Sequence, residues 1–379
     1  MRLAFVIQEL HPTAGQTHDI SEIIKYLSSI HEDWSIDVLT PKITYPLTEG
    51  MQKKNVRVVK IDQLYSAILF NHKLSRKFSE YNLIYVKGSY PYVFPAVRSG
   101  RPNVLVIHQR DSPRLFGSLQ KKLRIIGANF LTGLVIKRPT VLVTISDELS
   151  LYYSKRYGVK VNVIEDQISD SFYVCSRRDT SSVPHKIGLL TVGYWDGYNG
   201  RKRQDSLLKY FAEALQSHPD MSITLVGLSN ENKKELGELC LRLGISEKVT
   251  LKGYLNENEL VREFLNNYIY ATATTYEGFY RQIVEAFATG MPAVVFDASR
   301  VVDDFSQRAA VNHVLRSKGG LLYNDSKTFI ESIEMLSKQY ALFSENAAKY
   351  AQNYTRSVQG EKTDTLICYL NSKGKLLEG

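Results

Sequence analysis

The stretch Thr274–Asp297, TTYEGFYRQIVEAFATGMPAVVFD, holds the residues best suited to chemistry. Two carboxylates stand on either side of a helix start, Glu277 in the turn with Gly278, Phe279 and Tyr280 directly after it, and Glu285 on the helix that follows. The pattern predicts a helix from about Arg281 to Thr289, stopped by Gly290 and Pro292 and followed by a buried strand, Ala293–Phe296. The apolar residues before it, Tyr268–Ala273, read as another strand, so the whole is strand–turn–helix–strand. The first turn of such a helix presents backbone N–H groups that lack intrahelical partners, and these bind anions, phosphate above all. Gly278 has no Cβ, which lets a ligand approach the backbone closely. At ~1.5 Å rise per residue the two carboxylates are roughly 12 Å apart along the axis. They are too distant to share a proton or a metal, but suited to gripping hydroxyls at opposite ends of one extended ligand. Phosphate in the middle and hydroxyls at both ends describe a nucleotide sugar.

A second segment, Gly193–Asp205 (GYWDGYNGRKRQD), follows an apolar run and opens a helix that carries Arg201, Lys202 and Arg203 at its start. Cations there oppose the helix dipole unless an anion sits between them. A solvated basic turn is the other reading of the triplet. Arg281 has a similar position but sits four residues before Glu285, where the two side chains can pair.

The spacing Glu277-x7-Glu285, with Gly278-Phe279 after the first Glu and Ala286, Gly290 and Pro292 after the second, resembles the signature of retaining family 4 glycosyltransferases of the GT-B fold. The resemblance implies that Glu277 lies by the transferred sugar and the diphosphate, that Glu285 holds the ribose hydroxyls, and that the backbone of Gly278, Phe279 and Tyr280 faces sugar and phosphates. The chain departs from the family at Tyr280, where Gly is usual, and this bears on the shape of the sugar pocket. Val192-Gly193 and Lys202-x-x-Asp205 match the family's second cation-bearing segment, while Tyr194 replaces the Arg that follows the Gly. Arg201 is the candidate to take that role. Gly15, in the first strand–helix loop, matches the second Gly of a family pair whose first member is Ala14 here. His108 ends the fifth strand, where the family has a His near the sugar's 6-hydroxyl; a strand-end His satisfied by backbone is the plainer alternative. Arg110 and Asp111, together with His18, Asp19 and Glu9, are candidates on the acceptor side.

The elements that must position these residues alternate strand and helix. In the first half, strands are expected at Leu3–Gln8, Ser35–Leu39, Val56–Ile61, Leu83–Val86, Val104–His108 and Val141–Ile145, with a helix from His18 to about Ile30. A polar segment after Phe172, broken by Pro184, reads as a linker. The pattern then restarts with strand Ile187–Val192. Helices from Arg203 to Gln216, Glu231 to Leu243 and Glu257 to Leu265 then enclose strands Ser222–Val226 and Val249–Lys252. Such alternation argues for an α/β fold of two doubly wound parallel sheets, each with ligand-binding loops at the carboxyl ends of its strands. With the GT-B resemblance, two Rossmann-like domains facing each other across a cleft are expected. Residues 1–175 would be acceptor-binding and 186–355 donor-binding, with a C-terminal helix, 356–379, returning to the first domain.

The 379 residues suit two domains rather than one core. The three cysteines, Cys175, Cys240 and Cys368, are far apart, which fits a reducing compartment and offers no zinc spacing. No apolar run reaches the ~20 residues of a membrane span, and the first is too short for a signal peptide, so a cytoplasmic location is expected. No Gly-x-Gly-x-x-Gly follows the first strand of either half, which argues against a dehydrogenase. Asp-x-Asp is absent and the eight His do not cluster at metal spacing, so no cofactor or metal is expected and fixed cations must offset the diphosphate.

The net charge of +9 is uneven: residues 1–178 hold 25 Lys+Arg against 15 Asp+Glu, the remainder 23 against 24. Between Arg101 and Arg138 eight basic residues face the single acid Asp111, interleaved with Leu115, Phe116, Leu119, Leu123, Ile126, Phe130 and Leu131. A basic amphipathic helix of this kind lies on an anionic membrane, or else packs on the sheet with a solvated rim. Nucleic acid is not expected, because no groove-reading motif accompanies the charge. The sequence therefore points to transfer of a hexose from a UDP- or GDP-sugar to an acceptor hydroxyl on a glycan or lipid-linked molecule. A sugar phosphorylase on the same fold and a non-catalytic basic membrane- or nucleic-acid-binding protein are the alternatives.

Overall fold

The computed structural model describes residues 1–11, 15–44, 47–61, 72–88, 92–108, 119–174, 178, 187–198, 200–302, 306 and 308–377. The chain forms two compact units, Met1–Gln167 with Arg356–Gly379, and Ile168–Thr355. Each is built on one parallel sheet.

In the first unit the strands are β1 Arg2–Ile7, β2 Ser35–Thr40, β3 Val56–Lys60, β4 Leu83–Lys87, β5 Asn103–Ile107, β6 Val141–Thr144 and β7 Asn162–Val163. Their order is β3-β2-β1-β4-β5-β6-β7, and every pairing is parallel. β4 and β5 are buried throughout and β1 nearly so, as continuous apolar runs in a sheet covered on both faces must be. The second unit has β8 Gly188–Val192, β9 Ser222–Val226, β10 Val249–Leu251, β11 Ile269–Thr272, β12 Ala293–Phe296 and β13 Gly320–Tyr323, ordered β10-β9-β8-β11-β12-β13 and again parallel. In each sheet the order reverses between two neighbours, β1 and β4 in the first unit, β8 and β11 in the second. Loops leaving such a pair diverge to opposite sides, and the crevice between them is where doubly wound sheets bind ligands.

The first unit ends at Gln167, earlier than the expected 175. Residues that follow are tied into the second unit: Ser169 and Ser171 hydroxyls donate to Glu257 at 2.8 and 2.7 Å, and the Phe172 ring meets Phe264 edge-on at 5.7 Å. Arg178, inside the segment that reads as a linker, is buried. Its guanidinium donates to the carbonyls of Thr289, Asn267 and Phe264 and to the Tyr340 hydroxyl, closing the ends of the helices Glu257–Asn266 and Arg281–Ala288. Carbonyls at helix ends need such donors. The C-terminal helix Arg356–Leu377 belongs to the first unit and packs on Gly15–Ile30. Arg356 pairs with Glu22 at 2.7 Å and Asp364 with His31 at 2.7 Å. A Cβ at Gly360 would come within 2.4 Å of the Tyr26 ring, so only glycine lets the helices approach this closely.

The helix Gly15–Ile30 starts three residues before the expected His18, so Gly15 opens the helix rather than lying in a loop. Among its described residues the basic segment forms the helix Leu119–Val135. Ile125, Thr132 and Val135 are buried, while Leu119, Leu123, Ile126, Phe130 and Leu134 are exposed, Leu119 by 72% and Phe130 by 67%. At 100° per residue the five exposed apolar positions share an arc of about 80°, opposite the buried face. No helix among the described residues is long and apolar enough to cross a membrane.

Candidate functional site

In the second unit, the two segments singled out in the sequence leave the two strands at the sheet's reversal point: Gly193–Arg203 follows β8 and Ala273–Tyr280 follows β11. They are tied together locally. The Thr275 N–H donates to the Arg201 carbonyl at 2.8 Å, and both Thr274 and Thr275 hydroxyls reach the same oxygen. Asp196 accepts from the backbone N–H of Arg201 and of Lys202 at 3.0 and 3.2 Å, which fixes the basic pair from the other side. Gly193 has φ +145°, and its carbonyl accepts from the Gln204 side chain at 2.8 Å.

This framework brings Glu277, Arg201 and Lys202 into contact. Glu277 Oε2 takes Arg201 Nη1 at 2.8 Å and Oε1 takes Lys202 Nζ at 2.7 Å. All three side chains are largely buried, at 12%, 18% and 7% exposure. Burial pushes the Glu277 carboxyl up, but Lys202 and Arg201 outweigh it, and the group ends below the ordinary carboxylate value. Arg201 also bonds the Tyr194 hydroxyl and lies 5.3 Å from that ring's centre, so its guanidinium is held beside the residue that replaces the family's Arg. Arg201 also lies 3.9 Å from Asp196, so the two cations at the turn are shared between two carboxylates.

The turn supplies amides. Among the described residues the backbone N–H groups of Gly278, Phe279 and Tyr280 have no hydrogen-bond partner. The helix Arg281–Ala288 that follows has no side-chain cap; its N-cap position is Tyr280, at φ 57° and ψ 65°. Consecutive amides in and before a left-handed residue make a concave anion-binding surface. The left-handed residue is Tyr280 and not Gly278, whose φ is not positive. The Tyr280 side chain is 4% exposed and runs back behind the turn, its hydroxyl 3.0 Å from that of Tyr270 and 2.8 Å from Thr272 Oγ1. Lys202 Nζ lies 4.6 Å from its ring centre. The departure from glycine therefore does not put a phenol into the space before the turn.

Glu285 stands on the inner part of the same helix, 6% exposed, with Arg281 Nε 3.0 Å from Oε1. Burial raises its pKa above the ordinary value and Arg281 only partly offsets this. The local pairing of Arg281 is thus realised.

In the first unit the candidates lie on the carboxyl ends of the central strands. His108 directly follows β5, with Nδ1 3.8 Å from Asp166 and Nε2 buried without a partner among the described residues. Burial, with the Lys87 charge adding, pushes the imidazole down to about 3, so it is neutral and acts as a hydrogen-bonding group rather than a cation. Lys87, at the end of β4, is buried between Asp19 and Asp166, the latter at 3.2 Å. Sequence reasoning missed Lys87 and Asp166, because a lone Lys closing an apolar strand carries no pattern. Asp19 is paired with Lys87, and Glu9 with Lys42 at 2.6 Å. Gly15 is exposed and a Cβ there would meet nothing, while His18 is half-exposed on the same helix. Arg110, Asp111 and Ala14 lie outside the described residues.

Two doubly wound parallel sheets, one in each unit, and the likeness to solved structures give the GT-B fold class. The chain superposes on sucrose-phosphate synthase from Thermosynechococcus elongatus with a TM-score of 0.73 at 14% identity, covering 98% of this chain and 100% of that one. It superposes on Anabaena HepE in complex with UDP and glucose with a TM-score of 0.70 at 18% identity, covering 97% and 100%. The family model Glycosyl transferases group 1 matches residues 187–354, a stretch that lies within the second unit. Over 96 residues the chain is 33% identical to the UDP-N-acetylglucosamine–peptide N-acetylglucosaminyltransferase GtfA subunit of Streptococcus parasanguinis, a stretch that is 25% of this chain and 18% of that relative.

Proposed function

We propose that the chain is a retaining glycosyltransferase of family 4 type that moves a hexose from a nucleotide diphosphate sugar to an acceptor hydroxyl. The observation that carries this reading is the coincidence, beside the Glu277 carboxylate, of Arg201, Lys202 and three amides, Gly278 to Tyr280, that have no partner among the described residues. Fixed cations and amides aimed at one place stabilise a leaving diphosphate without reorganisation. They supply the charge that a metal supplies in other designs. Glu277 is assigned to the transferred sugar and Glu285 to the ribose. The leaving phosphate is the natural acceptor for the proton of the attacking hydroxyl, because Glu277 is already held by two cations. The UDP and glucose of the HepE complex favour UDP over GDP as the nucleotide. The acceptor is assigned to the first unit, with His108 as a neutral hydrogen-bonding group. A thermal-shift screen against UDP, GDP, ADP and their common sugars tests the donor. Stabilisation by a UDP- or GDP-sugar is expected, whereas phosphate-dependent breakdown of a disaccharide without nucleotide would favour a phosphorylase instead.

The helix Leu119–Val135 supports a peripheral membrane location on the cytoplasmic face and a lipid-linked acceptor. Its outward arc is its apolar arc, and Lys137 and Arg138 are exposed just beyond its end. An apolar ridge beside cations fits an anionic bilayer. Co-sedimentation with phosphatidylglycerol vesicles, lost on Phe130→Glu and weak with phosphatidylcholine alone, is the expected result. Salt-sensitive binding to DNA with none to vesicles would contradict it.

A further inference from the structure

We infer that His313 is a positioning residue for the donor turn: by holding the Phe279 carbonyl on the buried side it sets the direction of the Tyr280 N–H toward the diphosphate. This rests on the donor site proposed above. His313 lies on the helix Ala309–Ser317 and is 5% exposed. Its Nε2 meets the Phe279 carbonyl and its Nδ1 lies 3.0 Å from the Tyr350 hydroxyl. A carbonyl only accepts, so Nε2 carries the proton and Nδ1 of the neutral ring accepts. The Tyr350 hydroxyl must then donate to Nδ1, which leaves its oxygen to accept from Tyr354 at 2.6 Å. Donation runs one way, from Tyr354 through Tyr350 and His313 to the Phe279 carbonyl.

The consequence follows from the geometry of the peptide. In a trans, planar unit the C=O and the following N–H point in opposite directions. The Phe279 carbonyl is drawn inward by His313, so the Tyr280 N–H of the same peptide faces the other way, and it has no partner among the described residues. The conformation needs this support. A tyrosine at φ 57° is disfavoured, and such residues persist only where their surroundings over-determine them. Tyr270 and Thr272 hold its side chain, while His313 holds the peptide before it. The Phe279 ring is enclosed by the same group, 5.2 Å from His313 and 5.4 Å from Tyr354 between centres.

The test compares the unsubstituted protein with His313→Phe, His313→Gln and Tyr350→Phe in two measurements. One is hydrogen–deuterium exchange of the ligand-free peptide spanning residues 274–283; the other is UDP affinity by calorimetry. His313→Phe is expected to speed exchange in that peptide while β11 and β12 stay protected, and to weaken UDP about tenfold, the order lost with one well-placed hydrogen bond. His313→Gln, whose side-chain amide still donates to the carbonyl, restores most of both. Tyr350→Phe, a smaller change that frees the tautomer, shifts both in the same direction as His313→Phe and keeps the test open where that variant folds poorly. Unchanged exchange in both variants, or faster exchange with UDP affinity unaltered, overturns the inference. Faster exchange together with binding of neither UDP nor GDP by the unsubstituted protein overturns the donor reading, while supporting the anchoring of the turn by His313.

Discussion

The hydroxyls of Tyr280 and Tyr270 meet at 3.0 Å behind the turn that begins at Glu277. Because Thr272 Oγ1 closes the group at 2.8 Å, the largest side chain of the turn is structural, and the face before the turn is backbone. Tyr280→Phe should therefore lower stability by about 1–2 kcal/mol, by breaking a buried hydroxyl cluster, and leave the preference among donor sugars unchanged. Denaturant unfolding and a comparison of kcat/KM across sugars check this. A changed sugar preference would mean that the phenol reaches the substrate.

Glu285→Ala should weaken donor binding, by about tenfold for loss of hydrogen bonds to a charged group, more than it slows turnover at saturation. Ribose is held equally in ground and transition states, and such uniform binding enters KM. Steady-state kinetics with the donor varied would show KM rising with kcat nearly constant. The reverse pattern would move Glu285 from the ribose to the reacting centre.

The buried imidazoles give a pH dependence of defined sign. Burial lowers His313 to about 4 and His108 to about 3, both below the ordinary value of 6.5. Between those limits the unfolded chain binds more protons than the folded one, so stability rises with pH in this window and is lost as pH falls from about 6.5 toward 4. Each group contributes a slope of at most about 1.4 kcal/mol per pH unit. Glu277, held below its ordinary value, adds a loss that begins only nearer pH 4. Unfolding curves at pH 7 and pH 5 should differ in this direction, and His313→Gln should reduce the difference. Glu285, raised by burial, contributes in the opposite sense above its ordinary value. A pH difference in His313→Gln equal to that of the unsubstituted protein would therefore show that His313 is not held neutral by folding.

Much of the fold is written in short patterns. The run from Tyr268 to Asp297 reads correctly as strand, turn, helix and strand because Gly290 and Pro292 stop the helix and the flanking apolar runs are too short for anything but strands. The clustering of Arg201 and Lys202 with Glu277 was also approachable, since both segments follow strands of one sheet. What was not legible depends on direction rather than identity. Nothing local says that Tyr280 takes the left-handed region and turns inward, because a β-leaning aromatic rarely does so. His313 is 34 residues from the carbonyl it holds, and a single His on an amphipathic helix gives no signal. Arg178 lies in a polar stretch whose composition says linker, yet it finds three carbonyls at the ends of two distant helices. The exposed ridge on Leu119–Val135 needed the structure to decide which of two apolar arcs faces the sheet.

The central claim is that the turn at Glu277–Tyr280, with Arg201 and Lys202, receives the diphosphate of a nucleotide sugar. Its most direct test is a calorimetric titration of UDP into the unsubstituted protein and into Lys202→Met. Saturable binding to the first is expected. In Lys202→Met it should be weakened about tenfold or more, with a smaller dependence on salt, as for a charged hydrogen bond to phosphate removed from a largely buried site. Equal affinity in the two proteins, or binding of neither UDP nor GDP by the unsubstituted one, would contradict the account.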